Sequence, residues 1–188
     1  GRCKMQTAMA SVSTFIAMFI IMLAAMSSGI LVAYANTEFI SRTCNKTNNT
    51  ALCIAVLTTK PQSAHASTEH DLARIALELT IDTAKHNVKV INDLDKKKQS
   101  KPEAFALAIC LKAYTEATSA LEIYAVSNFQ MGSYPSTLAN VSFAMGASDT
   151  CKKAFKRIGK ESPVSYIDRE MIEHCSVASN LINLLVRK

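Results

Sequence analysis

Two helical patterns, separated by one break and each carrying a cysteine near its outer end, constrain this chain more than any other feature. Leu107, Leu111, Tyr114, Thr118, Leu121 and Ala125 recur in steps of four and three, which line one face of a helix. Gly132-Ser133-Tyr134-Pro135 interrupts the pattern, and Leu138, Val141, Met145, Ser148, Phe155 and Ile158 resume it. Cys110 lies 22 residues before the break at about residue 132, and Cys151 lies 19 after it. At ~1.5 Å per residue, an antiparallel hairpin brings those positions to within roughly 5 Å of the same level. A disulfide also requires the two Cβ atoms to face each other. The spacing therefore permits a staple between two helices.

The remainder reads as what packs on that pair. Thr68 stands three residues before Asp71, an N-cap for a helix reaching about Lys96. That helix carries two apolar stripes: Leu72, Ala76 and Leu79, then Leu77, Ile81, Ala84, Val88 and Ile91. Two stripes imply contacts on two sides, with the bundle on one and an N-terminal hairpin on the other. His86, between apolar positions, reads as a packing or helix-end residue. Lys101-Pro102-Glu103 opens the second long helix, with proline tolerated in the first turn. A fourth helix runs from about Ser165 to Val186, with Ile167, Met171, His174, Ala178, Leu181 and Leu185 as its seam. The prediction is all-α: an up-down-up-down four-helix bundle over 68–187, preceded by a helical hairpin over 37–59. In that hairpin Phe39, Ile40 and Cys44 face Leu52, Cys53, Val56 and Leu57 across a turn of six polar residues. Cys44 and Cys53 are placed to close it, and residues 60–66 read as a linker. Measured from the turn near residue 161, Cys151 is about 10 residues back and Cys175 about 14 forward. Height alone thus permits Cys151 to pair with Cys110 or with Cys175.

The N-terminal end points to an oxidising compartment. Arg2 and Lys4 precede an uncharged run that lasts to Glu38, with an apolar core at Phe15–Leu23 and an Ala33-Tyr34-Ala35 site. This is the pattern of a secretory signal peptide over 1–35, leaving a single domain over 36–188. An uncleaved anchor is the alternative, because the run is long enough to span a bilayer. Cleavage removes Cys3 and leaves five cysteines, hence two disulfides and one free thiol. Sequons at Asn45, Asn48 and Asn140 fit secretion. Losing Arg2 and Lys4 takes the formal charge from +6 to +4, a mild excess and no nucleic-acid footprint. Lys96-Lys97-Lys98 with Lys101, and Lys152, Lys153, Lys156 and Arg157, crowd helix C-termini, where they suit the helix dipole. The same clusters offer weak attraction to an acidic polysaccharide or acidic protein.

The usual catalytic patterns are missing: no Gly-rich phosphate loop, no Gly-x-Ser-x-Gly elbow, no His-Glu-x-x-His pair. His65, His70, His86 and His174 are scattered, and no cofactor or metal motif stands out. Cys175 and His174 are adjacent on a helix, so their side chains point about 100° apart and do not share a proton easily. The reading is of a protein that is not an enzyme.

Several stretches resemble the plant invertase and pectin methylesterase inhibitor family. They are Ile40-Ser41-Arg42-Thr43-Cys44-Asn45-Lys46-Thr47 with Cys53 and Leu57, Cys110-Leu111-Lys112-Ala113-Tyr114, and Gly132-Ser133-Tyr134. Val141-Ser142-Phe143-Ala144-Met145, Thr150-Cys151-Lys152-Lys153-Ala154-Phe155 and Ser179-Asn180-Leu181-Ile182-Asn183-Leu184-Leu185 continue it over nearly all of the mature chain. The resemblance implies a four-helix bundle after a helical hairpin, disulfides Cys44–Cys53 and Cys110–Cys151, and Cys175 unpaired. It further implies a secreted protein of the apoplast, with the vacuole as the alternative, that inhibits a cell-wall enzyme by covering its cleft with a helical face. Two positions depart from the family's pattern: Phe143 stands where a small residue is usual, and Lys152-Lys153 where acids are common. Invertase-directed members can carry Pro-Lys-Phe between the second and third bundle helices. Here Gly132-Ser133-Tyr134-Pro135-Ser136 has no lysine and resembles pectin methylesterase inhibitors instead. The expected target is pectin methylesterase in a 1:1 complex, with invertase, or a non-inhibitory wall-bound bundle, as alternatives. Glu116, Ser142 and Asp149 are the expected contacts on helices two and three.

Overall fold

Local chemistry sets where each helix begins, and turn geometry sets how they pair. In the computed structural model, which describes residues 37–97 and 99–187, the regular elements are all helical. The leader expected over 1–35, with Cys3, and Lys98 of the lysine cluster lie outside the described residues. Helix α1 covers 37–44, and α2 (Thr50–Thr58) is capped by Asn49, whose side chain accepts from the Leu52 N–H at 3.1 Å. The Cys44–Cys53 disulfide closes this pair with Cα atoms 5.5 Å apart. Helices so short are marginal alone in water. Closing ten residues contributes about 2.7 kcal/mol in the chain-entropy model.

Helix α3 (Glu69–Asp95) starts with a reciprocal capping box between Thr68 and Asp71. Bonds from the Thr68 side chain first, then from neighbouring backbone and Ser67 groups, hold the Asp71 carboxyl below its usual range. Helix α4 (Lys101–Ser119) opens on Ser100, whose N–H and hydroxyl both donate to Glu103. Lys160, from the far turn, donates to the other oxygen of Glu103 at 2.6 Å and ties the two ends together. These bonds, the Lys160 one foremost, lower the Glu103 carboxyl to about 2. Helix α4 runs through a π-helical segment, Ala120–Ala125, into α5 (Val126–Gln130). Helices α6 (Tyr134–Arg157) and α7 (Ser165–Val186) complete the bundle.

Helix α3 meets α4 and α7, and α6 meets α4 and α7, so the four form a square in the order α3, α4, α6, α7. Short turns between successive members make neighbours antiparallel. The interior is filled by Leu72, Ile91, Leu107, Leu121, Val141, Phe155, Ile167, Met171 and Leu181, all essentially inaccessible. Each such side chain contributes roughly 1.5–3 kcal/mol of transfer free energy.

Three details differ from the sequence expectations. The linker at 60–66 is not unstructured: Pro61–His65 forms a 3-10 turn that buries Ser63. Proline at the first position supplies the fixed φ that such a turn needs. The double stripe of α3 reflects contact with α4 and α7, with α2 laid across both α3 and α7. His86 is exposed within α3, so it neither packs nor caps a helix end.

Candidate functional site

The seam between α4 and α6 is closed covalently. Cys110 and Cys151 form a disulfide with Cα atoms 4.5 Å apart. One turn along, the buried Tyr114 hydroxyl lies 3.1 Å from Ser148 Oγ. That antiparallel register brings Phe143 level with residues 118–119, immediately before the π segment. Val141, Ala144 and Ser148 occupy the core side of α6, which leaves Phe143 on the surface, 57% exposed.

The π segment changes what α4 presents. Seven residues after buried Ala117, Tyr124 would return to nearly the same face of an uninterrupted helix. Over Ala120–Ala125 the turns are wider: the Val126 N–H reaches back five residues to the Leu121 carbonyl. Tyr124 is turned out as a result, 59% exposed, beside exposed Ile123. Leu121, Ala125 and Phe129 keep the core side. Glu116 lies on the same helix, exposed, with Lys112 3.9 Å away. Glu122, six residues on, pairs with Lys85 of α3, which places Glu116 on the flank turned from α3. No sequence pattern announced Ile123 and Tyr124 as surface residues.

The other flank of α6 faces α7 and is open. Ser142 and Asp149 line the upper part of this groove, a space of about 380 Å³. Asp149 is exposed and pairs with Lys153 at 2.5 Å. A larger cleft of about 660 Å³ continues toward the α6–α7 turn, sharing Lys152, Asp168 and Ile172 with the upper part. The structure thus brings Ser142 and Asp149 together on one flank of α6 and sets Glu116 apart on α4.

Beneath the groove is a polar layer with one residue from each bundle helix: Asn87, Tyr114, Ser148 and Asp168. Tyr114 donates to Asp168 Oδ1 at 2.7 Å, and Asn87 Nδ2 donates to the Ile167 carbonyl at 3.2 Å. Burial pushes the Asp168 carboxyl up to about 6, against the pull of the Tyr114 hydrogen bond and the Lys152 charge. Burial, followed by the Asp168 charge, raises the Tyr114 hydroxyl as well. On the opposite side of α7, Thr83 Oγ1 and His174 Nδ1 are 2.6 Å apart, and burial lowers the His174 pKa. Cys175 is free and buried, its thiol pushed up to about 12.

The α5–α6 turn is closed by backbone hydrogen bonds and ring contacts. Gly132 sits at φ 71°, in the left-handed region, and the Ser133 N–H donates to the Asn128 carbonyl at 2.8 Å. Phe129 packs edge-on against Tyr134 and, on its other side, against His70. Asn45 and Asn48 are exposed in the α1–α2 turn, whereas Asn140 is half-buried and donates to the Ser136 carbonyl at 2.8 Å. Among the described residues no group of His, Cys, Asp and Glu is placed to hold a metal ion, and no helix is long and apolar enough to cross a membrane.

Comparison with known proteins supplies the family. No curated protein matches the chain. A pectin methylesterase inhibitor from Arabidopsis, solved as its mutant form A, superposes with a TM-score of 0.65 at 26% identity. The match covers 77% of this chain and 95% of that one. A second crystal structure of a pectin methylesterase inhibitor, from Arabidopsis thaliana, gives 0.59 at 25% identity over 79% and 96%. The family profile described as plant invertase/pectin methylesterase inhibitor matches residues 38–181, and the chain belongs to that family, whose named role is inhibition.

Proposed function

We propose that this chain is a secreted inhibitor of pectin methylesterase, forming a 1:1 complex in which the outer face of α4 and α6 covers the enzyme's substrate cleft. The observation that carries the reading is the stapled seam. Two helices fixed by Cys110–Cys151 expose Phe143 on α6 and Ile123 and Tyr124 on the continuation of α4, with polar Glu116 on α4 and Ser142 and Asp149 on the α7 flank of α6. A partner typically buries about 800 Å² of each surface, enough to take in both flanks of upper α6. Exposed aromatics on such a face supply binding energy, and a face that is already rigid loses little entropy on docking.

The choice of pectin methylesterase over invertase rests on two further points. The two solved structures described above are pectin methylesterase inhibitors. The turn at 131–134 is held tightly and offers no lysine for a carboxylate in an active site. The leader pattern at 1–35 and the sequons support a secretory route, with the apoplast as its proposed destination. Glycans on Asn45 or Asn48 would leave the face clear, while Asn140, whose amide is engaged, is expected to carry little.

The test titrates purified mature protein against a pectin methylesterase and an acid invertase at mildly acidic pH. Stoichiometric loss of esterase activity is expected, with invertase untouched. Inhibition of invertase alone reverses the assignment, and inhibition of neither leaves a structural bundle.

A further inference from the structure

We infer that the larger cleft between α6 and α7, near their connecting turn, is a binding site for an acidic oligosaccharide, an oligomer of uronic acids. The cleft lies below the face assigned to the enzyme target, and its volume of about 660 Å³ falls within the range of small-ligand clefts, ~300–1,000 Å³.

Its charges are arranged unlike those elsewhere on the molecule. Lys160, which lines the cleft, is already paired with Glu103, and Lys153 of the same helix α6 with Asp149. Lys156 and Arg169, which line the cleft, form no ion pair among the described residues, and Lys152 acts on Asp168 only through its charge. Three cations on two facing helices are thus left for a ligand, and a carboxylate bound among them gains charge-assisted hydrogen bonds.

A carboxylate alone does not account for the rest of the lining. Glu161 and Glu173 are acceptors that would repel a simple polyanion such as an acidic peptide. A uronate chain carries several hydroxyl donors for every carboxylate. Its hydroxyls suit the acids, its carboxylates suit Lys152, Lys156 and Arg169, and its ring C–H faces suit Ile172 and the lysine stems. A neutral sugar would leave the three cations unanswered. This site stands apart from the inhibitor reading: a uronate binder that inhibits nothing, or an inhibitor that binds no uronate, would separate the two.

The experiment is isothermal titration of the mature, disulfide-intact chain at pH 5.5 and low salt. The probe is an unesterified galacturonate hexamer, compared with its fully methyl-esterified form and with a hexa-aspartate peptide. The hexamer is expected to bind, and both comparators to bind about tenfold more weakly or worse. Lys156→Gln and Arg169→Gln should each weaken the hexamer by about tenfold, while a Lys96→Gln/Lys97→Gln variant should match the parent. All four positions are exposed, and unchanged thermal midpoints verify that the variants fold. Absence of hexamer binding overturns the proposal, as does equal loss in the Lys96/Lys97 variant. Binding of the peptide as tight as that of the hexamer overturns it in favour of an acidic protein segment.

Discussion

The two flanks of α6 differ in how they are held and in what they can bind. Toward α4 the seam is covalent, with exposed Phe143 on the α6 surface. Toward α7 the seam has no covalent link, opens into a groove, and rests on a carboxyl that burial pushes up to about 6. A surface that must meet another protein in one geometry gains from the first arrangement, since little is left to order on binding. A cleft that takes a small hydrophilic ligand gains from the second, where charges stand free and water has access.

The largest effect should come from cutting the staple. The Cys110–Cys151 bridge closes 42 residues counted inclusively, worth about 4 kcal/mol in the chain-entropy model, against about 2.7 for Cys44–Cys53. Cys110→Ser should therefore lower the denaturant midpoint more than Cys44→Ser and weaken inhibition with it. Equal losses from the two would remove the staple from its place in the comparison. Unfolded without reductant, the intact mature chain should expose one reactive thiol, Cys175, which in the folded state is buried and protonated.

Next in size is the polar layer. Tyr114→Phe removes the donor to a buried carboxylate and should cost about 1–3 kcal/mol at pH 7. The cost should shrink at pH 4, where Asp168 is protonated. The linkage has a definite sign. Burial pushes the Asp168 carboxyl up to about 6 in the folded chain from its ordinary 3.8, so the folded state holds its proton more tightly. Its contribution to stability is complete below about 3.8 and is lost as pH rises through about 6. His174 works in the opposite sense: burial lowers its pKa from 6.5, so its contribution is present above 6.5 and is lost as pH falls. Comparing parent with Asp168→Asn from pH 4 to 7 isolates the first term, and the parent should lose ground to the variant as pH rises. Parallel profiles would show that Asp168 ionises as freely as an exposed aspartate.

A smaller effect is expected from Phe143→Ala on the opposite flank. Stability should stay within about 0.5 kcal/mol, because the ring is largely in water. Affinity for the esterase should fall by about 2 kcal/mol, roughly thirtyfold, if Phe143 is an anchor.

The bundle was legible because apolar residues recur with helical spacing, and the turns at 131–133 and 158–164 are marked by glycine and proline. The connectivity of the cysteines was not legible from height, since Cys110 and Cys175 are both level with Cys151. Rotation about the helix axes decides it, and Cys175 turns into the core. The π segment left no trace in the pattern, because Leu121 and Ala125 are four apart in either geometry while Tyr124 changes sides. Asp168 was hidden for another reason. It follows the seam residue Ile167 by one position, where a solvent-facing acid would also be written, and only the depth of Tyr114 reveals its partner. Ser142 and Asp149 could be placed on the third bundle helix from sequence, but not on its α7 flank.

Hydroxyl-radical footprinting of the mature chain, free and bound to pectin methylesterase, tests the central claim most directly. Phe143, Tyr124 and Tyr166 are all exposed aromatics that report their own accessibility, the first two on the α4–α6 face and the third on α7. The account predicts that oxidation of Phe143 and Tyr124 falls sharply in the complex while that of Tyr166 is unchanged. Protection of Tyr166 with Phe143 and Tyr124 still oxidised would contradict it and move the enzyme-binding surface to α7.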